Sequence, residues 1–151
     1  MSDGAKANNR GRMLEKAVGN LLEENYERVT AQQFFPLRSL GQAIFAPQCK
    51  ATTDIYNKQR RVDYILFHPR RWQSCLVIQS KWQASSGSVE EKYPFEVMSI
   101  EANGFPTIIV QDGGGYSPGA EEWLRAQAGK GNLLHVFTLG ELNRFASKGE
   151  L

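Results

Sequence analysis

The sequence predicts an α/β domain in which helices cover both faces of a central mixed sheet, and three observations support this. Helix-period segments alternate with short strand-like segments along most of the chain. Two short apolar runs, Val62 to Phe67 and Cys75 to Gln79, flank the polar connection His68 to Ser74 and read as a hairpin. A later run, Pro106 to Gln111 (PTIIVQ), is apolar at nearly every position, as expected of a strand covered on both faces. With 151 residues the chain is expected to form one domain over residues 10–151, preceded by a flexible arm over residues 1–9.

The elements follow in order. Met13-Leu14, Ala17-Val18 and Leu21-Leu22 recur at helical spacing, which predicts an amphipathic helix from Arg10 to about Glu27. Residues 30–57 carry weaker signals: a strand over Gln42 to Pro47, and a loop or strand end over Thr52 to Lys58. After the hairpin, Ser88 with Glu91 forms a capping-box pattern and Asn103-Gly104 a stop signal. Pro94 lies between them and predicts a break near Tyr93. Ser117-Pro118 starts another helix and Gly129 ends it. Leu133 to Phe137 reads as a strand, and Thr138 with Glu141 caps a last helix.

Composition narrows the possibilities. No apolar run is long enough for a membrane-spanning helix, and the polar N-terminus has no apolar core of a secretory signal, so the cytoplasm is the expected compartment. Cys49 and Cys75 form neither a disulfide framework nor a zinc pattern and are expected to be buried thiols. Three glycines at 113–115 lack the Lys-Ser/Thr of a phosphate loop. The net charge is only +2, but the basic residues cluster: Arg10 and Arg12, Arg60 and Arg61, Arg70 and Arg71. Such clusters suit phosphate contacts.

The hairpin carries the chemistry. Alternation puts Asp63 on one face with Ile65 and Phe67, and Gln79 and Lys81 on one face with Val77. A hairpin symmetric about Arg71 pairs Phe67 with Cys75 and sets Asp63 opposite Gln79. A carboxylate, an amide and an ammonium then meet at one end, a costly trio to leave half buried. On the first helix, Glu15 borders the apolar stripe, and Gly19 one turn on leaves space above it. Glu15, Asp63 and Gln79, with the Ser80 carbonyl, are hard oxygen ligands suited to Mg²⁺. A lysine beside such an ion suits phosphodiester hydrolysis.

Glu15 on the first helix, Asp63 at a strand start and Gln79-Ser80-Lys81 on the paired strand together resemble the PD-(D/E)XK nuclease superfamily. The continuation KWQASSGSVEEK is similar to that of restriction-type and homing-type members. The resemblance implies a restriction-endonuclease-like αβββαβ core. It implies that Asp63 is the main metal ligand, Gln79 a weaker one, Lys81 the catalytic lysine and Glu15 an additional ligand. Gln83 and Lys92 become second-tier DNA contacts. Two positions depart from the motif: Val62 replaces the proline, and Gln79 replaces the expected acid.

The expected activity is thus a Mg²⁺-dependent endonuclease, with Mn²⁺ as substitute, acting on double-stranded DNA as a homo-oligomer without a small-molecule cofactor. Homing and restriction enzymes are the expected settings. A junction resolvase or transposition-type cleaving subunit, or a nuclease-like protein that binds nucleic acid without cutting it, are the alternatives.

Overall fold

The computed structural model describes residues 3–82, 88–112, 114 and 116–151. Among them the order is α1 (Asp3–Leu22), β1 (Glu27–Arg28), α2 (Ala31–Arg38), β2 (Ile44–Thr53), β3 (Gln59–His68) and β4 (Trp72–Trp82). Then come α3 (Ser88–Glu91), α4 (Tyr93–Asn103), β5 (Thr107–Asp112), α5 (Pro118–Gln127), β6 (Leu133–Phe137) and α6 (Leu139–Ser147). The strands form one mixed sheet in sequential order. β2, β3 and β4 are antiparallel, while β1 joins β2 and β5 and β6 extend β4 in parallel. This is the α/β architecture expected for a restriction-endonuclease-like core.

Both faces of the sheet are covered. On one face α1 and α6 bury Leu14, Val18, Leu22 and Leu142 against Phe45, Tyr64, Leu66, Ile78 and Val110. On the other, Phe34 of α2 packs with Ile44, Val62, Ile65 and Val77. Beside it, Tyr93, Val97 and Ile100 of α4 and Leu124 of α5 cover Ile109 and Val136. Every residue of β5 except Asp112 is buried, as its apolar run predicts.

The central hairpin keeps the expected register over Tyr64↔Ile78, Ile65↔Val77 and Leu66↔Leu76; the ladder stops there, and Asp63 and Gln79 just beyond it meet through the Asp63 amide and the Gln79 side chain. Toward the turn the ladder shifts to His68↔Trp72, so the expected Phe67–Cys75 pair falls at an irregularity. Cys75 absorbs it with φ 72, and His68 Nδ1 accepts from the Arg70 and Arg71 amides at 3.1 Å each. Cys49 and Cys75 are buried free thiols, as their apolar settings imply.

Several boundaries differ from the sequence reading. α1 begins at Asp3, inside the stretch expected to be an arm. Extending an existing helix by a turn or two avoids a second nucleation cost, so Gly4 and the Asn8-Asn9 pair do not stop it. α1 ends at Leu22 rather than near Glu27, because Glu27 and Val29 turn away to donate their amides to Ala43 and Phe45. β1 has only two exposed residues and α2 contains Pro36 and buries only Phe34, so neither shows the usual periodicity. The break before Pro94 occurs as expected: α3 stops at Glu91 and α4 starts at Tyr93. Gly104, at φ 78, ends α4 in the left-handed conformation. No described helix is long and apolar enough to cross a membrane.

Ile78 is fully buried where α1 meets the middle of β4. Ile78→Ala is expected to lower the unfolding free energy by about 3 kcal/mol, read as an earlier urea midpoint.

Candidate active site at a fork in the sheet

β4 belongs to two pairings. It is antiparallel to β3 through Tyr64↔Ile78, and parallel to β5 from Val77↔Thr107 to Trp82↔Asp112. Past Ile78 the β3–β4 ladder ends and the strands fork. Backbone groups at such a point need other partners. Here side chains supply them: the Asp63 amide donates to Gln79 Oε1 at 3.2 Å, and the Ser80 amide donates to Asp63 Oδ2 at 2.8 Å. The Ser80 hydroxyl donates to the same oxygen at 3.1 Å. Asp63 is thereby held at a fixed angle in the mouth of the fork.

On the other side of β3, the pairs Pro47↔Tyr64 and Cys49↔Val62 set Gln48 opposite Asp63. One row of side chains, Gln48, Asp63 and Gln79, thus crosses three strands. Gln48 Nε2 donates to Glu15 Oε1 and, at 3.4 Å, to Asp63 Oδ1. Glu15 reaches the row from α1, whose position is set by Tyr64: its hydroxyl donates to the Glu15 carbonyl at 2.7 Å. Gly19 makes this approach possible, since a Cβ there would collide with the Tyr64 hydroxyl. The space beside Gly19 therefore serves Tyr64 rather than the carboxylate.

Burial, and then the neighbouring Asp63 charge, push the Glu15 carboxyl above its usual range, while the Gln48 bond pulls it back. Two carboxylates crowded in this way suit a cation. Among the described residues no cluster of three or more His, Cys, Asp or Glu is placed to hold a metal. Two carboxylates with amide oxygens beside them still fit Mg²⁺, which keeps several waters and takes few protein carboxylates.

Lys81 lies two residues beyond Gln79 and meets a residue the sequence reading missed. Its Nζ is 3.9 Å from Glu96 Oε2 on α4, and Arg60 Nη2 is 2.5 Å from the same oxygen. Glu96 is only 6 % exposed, and among the described residues its Oε1 has no hydrogen-bond partner. Its signal was legible as a charge inside the apolar stripe Tyr93, Val97, Ile100. Gln48 gave no such signal, because its own strand, β2, was only partly recognised.

The expected DNA contacts differ in their surroundings. Arg61 is exposed beside Gln48 and Lys50, in a groove along α2 with a volume of about 400 Å³. Arg10, Arg12 and Lys92 are exposed, whereas Arg60 is engaged by Glu96. Arg70 and Arg71 sit in the hairpin turn, roughly 20 Å along the strand from Asp63. Gln83 lies outside the described residues.

The raised Glu15 pKa fixes the sign of one effect. Between its unfolded and its higher folded value the native state binds the extra proton, so stability falls as pH rises through that window and stays lower above it. In chelator at pH 7, Glu15→Gln is expected to melt at a higher temperature than the unmodified protein. The gap should close once the pH drops below the ordinary carboxylate range.

The family model described as the PD-(D/E)XK nuclease superfamily domain matches residues 6–150, nearly the whole chain. No curated protein and no solved structure matches. Nucleases of this superfamily typically use divalent metal ions. The chain belongs to the PD-(D/E)XK nuclease superfamily.

Proposed function

We propose that this protein is a metal-dependent endonuclease that hydrolyses phosphodiester bonds in double-stranded DNA at specific sites, as homing and restriction enzymes do. The observation that supports this most is the convergence of Glu15 and Asp63 at the mouth of the fork, with Lys81 two residues along β4 from Gln79. Asp63 and Glu15 would hold Mg²⁺, or Mn²⁺ in its place, with Gln79 and the Ser80 carbonyl as weaker oxygen donors. The bound ion would stabilise charge on the phosphate and lower the pKa of an attacking water.

The chain's own residues divide the remaining work. Gln79 and Ser80 fix Asp63 through the bonds at the fork, so the carboxylate needs little rearrangement when charge arrives. The Lys81 ammonium would orient the attacking water and stabilise charge developing on the phosphate, and Glu96 limits where it can swing. Arg10, Arg12, Arg61 and Lys92, all exposed, would hold backbone phosphates. Arg70 and Arg71 would reach a more distant part of the duplex. Cutting both strands is simplest with two symmetric copies, so a homo-oligomer is part of the proposal.

One observation favours a second reading, a fold that binds nucleic acid without cutting it: Gln79 stands where the family places an acid, and its oxygen already accepts the Asp63 amide. Plasmid cleavage separates the two. The nuclease reading expects supercoiled DNA to be cut with Mg²⁺ or Mn²⁺ and not in chelator. Asp63→Ala and Lys81→Ala should each slow cutting by about a hundredfold or more. Salt-sensitive DNA binding with no cutting in either metal would leave the second reading.

A further inference from the structure

We propose that Gln48 is a ligand of the bound cation through its side-chain oxygen, and that it supplies a side-chain oxygen donor in place of the acid the family motif has at position 79. The inference rests on the metal-dependent reading above. Three features of Gln48 carry it.

The first is its backbone. Gln48 adopts φ 53, in the left-handed region that side chains other than glycine's rarely occupy. Such a conformation in a strand often accompanies an inserted residue, but none is inserted here. Pro47↔Tyr64 and Cys49↔Val62 lie on one register, and the irregularity comes later, between Cys49 and Thr52. The strain therefore leaves the pairing alone and redirects the side chains from Gln48 on, so that Cys49 packs in the same core as Ala46. Backbone strain retained at a single position beside a charged cluster is a signature of functional sites.

The second is what the side chain touches. Its Nε2 donates to Glu15 from the α1 layer and to Asp63 from the sheet. One neutral amide thus stands between the two carboxylates that would hold the ion. The final torsion of a glutamine is broad and roughly two-fold, so the amide turns over at little cost. Facing two carboxylates it presents NH₂; with a cation between them it presents Oε1.

The third is the contrast with Gln79. That side chain is only 6 % exposed and its oxygen is committed to the Asp63 amide. Gln48 is exposed and borders the groove lined by Gln32, Lys50 and Arg61. Of the two amides flanking Asp63, one is tied to the backbone and the other is able to turn.

Binding of Mn²⁺ to the DNA-free protein, read from the electron paramagnetic resonance signal of the free ion, tests the assignment without reference to activity. Gln48→Gly removes the amide and suits φ 53, so the fold should persist and its melting temperature should rise. Its Mn²⁺ affinity should fall by about tenfold. Gln48→Glu should bind Mn²⁺ more tightly than the unmodified protein at pH 8, and Asp63→Asn should bind it far more weakly. Unchanged affinity in Gln48→Gly beside a large loss in Asp63→Asn would overturn the role of Gln48 while leaving the site standing. Should Gln48→Gly fail to fold, the absence of tighter binding in Gln48→Glu would overturn it equally. No Mn²⁺ binding by the unmodified protein would overturn both the inference and the reading beneath it.

Discussion

The site depends on how the sheet divides at Asp63. Where β4 leaves β3 to follow β5, the backbone amides of Asp63 and Ser80 pass to side-chain acceptors, Gln79 Oε1 and Asp63 Oδ2. A buried amide left unpaired there would cost on the order of 1–3 kcal/mol, and a bond to a charged acceptor contributes about as much. The fork is thus stable only with an acceptor at each of the two positions. Asp63 meets one of those structural needs and at the same time presents Oδ1 toward Glu15 and Gln48. Gln79 meets the other, which gives a physical reason for an amide at a position where the family motif has an acid. A neutral acceptor satisfies the backbone without adding a third negative charge beside Asp63 and an already strained Glu15.

The two helical layers meet the fork from opposite faces. α1 is positioned by the Tyr64 hydroxyl passing through the gap at Gly19 to the Glu15 carbonyl, so the helix and the strand carrying Asp63 are coupled one residue from the site. α4 brings Glu96, which gathers Arg60 and Lys81 around one oxygen. A buried carboxylate shared between two cations is retained only with such partners. Its consequence is positional: the basic group of β4 is drawn toward α4.

Much of this was legible in the residues. The alternation in Val62 to Phe67 and Cys75 to Gln79 sufficed to place Asp63 opposite Gln79, because a slip by one would have turned the apolar set to the wrong face. The capping box at Thr138, the Ser117 cap and the break at Pro94 have local chemical causes and are written in a few residues each, whereas the Thr30 box emerged only in the structure. The turn end of the hairpin was not legible, since the shift at Cys75 depends on a left-handed cysteine that no local pattern announces. Gln48 was hidden for a related reason. Its place opposite Asp63 follows from the β2–β3 connection, where the Asp54 side chain accepts from the Tyr56 and Lys58 amides and Asn57 turns at φ 62. That turn lacks a common hairpin signature, so the register of β2 was out of reach.

On the proposed reading a divalent cation enters at the mouth of the fork, between α1 and the row Gln48, Asp63, Gln79. Paramagnetic broadening of the backbone amide NMR signals by substoichiometric Mn²⁺ tests this most directly. The amides of Glu15, Gln48, Asp63 and Ser80 should fade first, while those of Arg70 and Arg71 at the far turn stay sharp. Broadening centred elsewhere, for example on the Glu121–Arg125–Glu141 cluster, would contradict it, as would a spectrum that Mn²⁺ leaves unchanged.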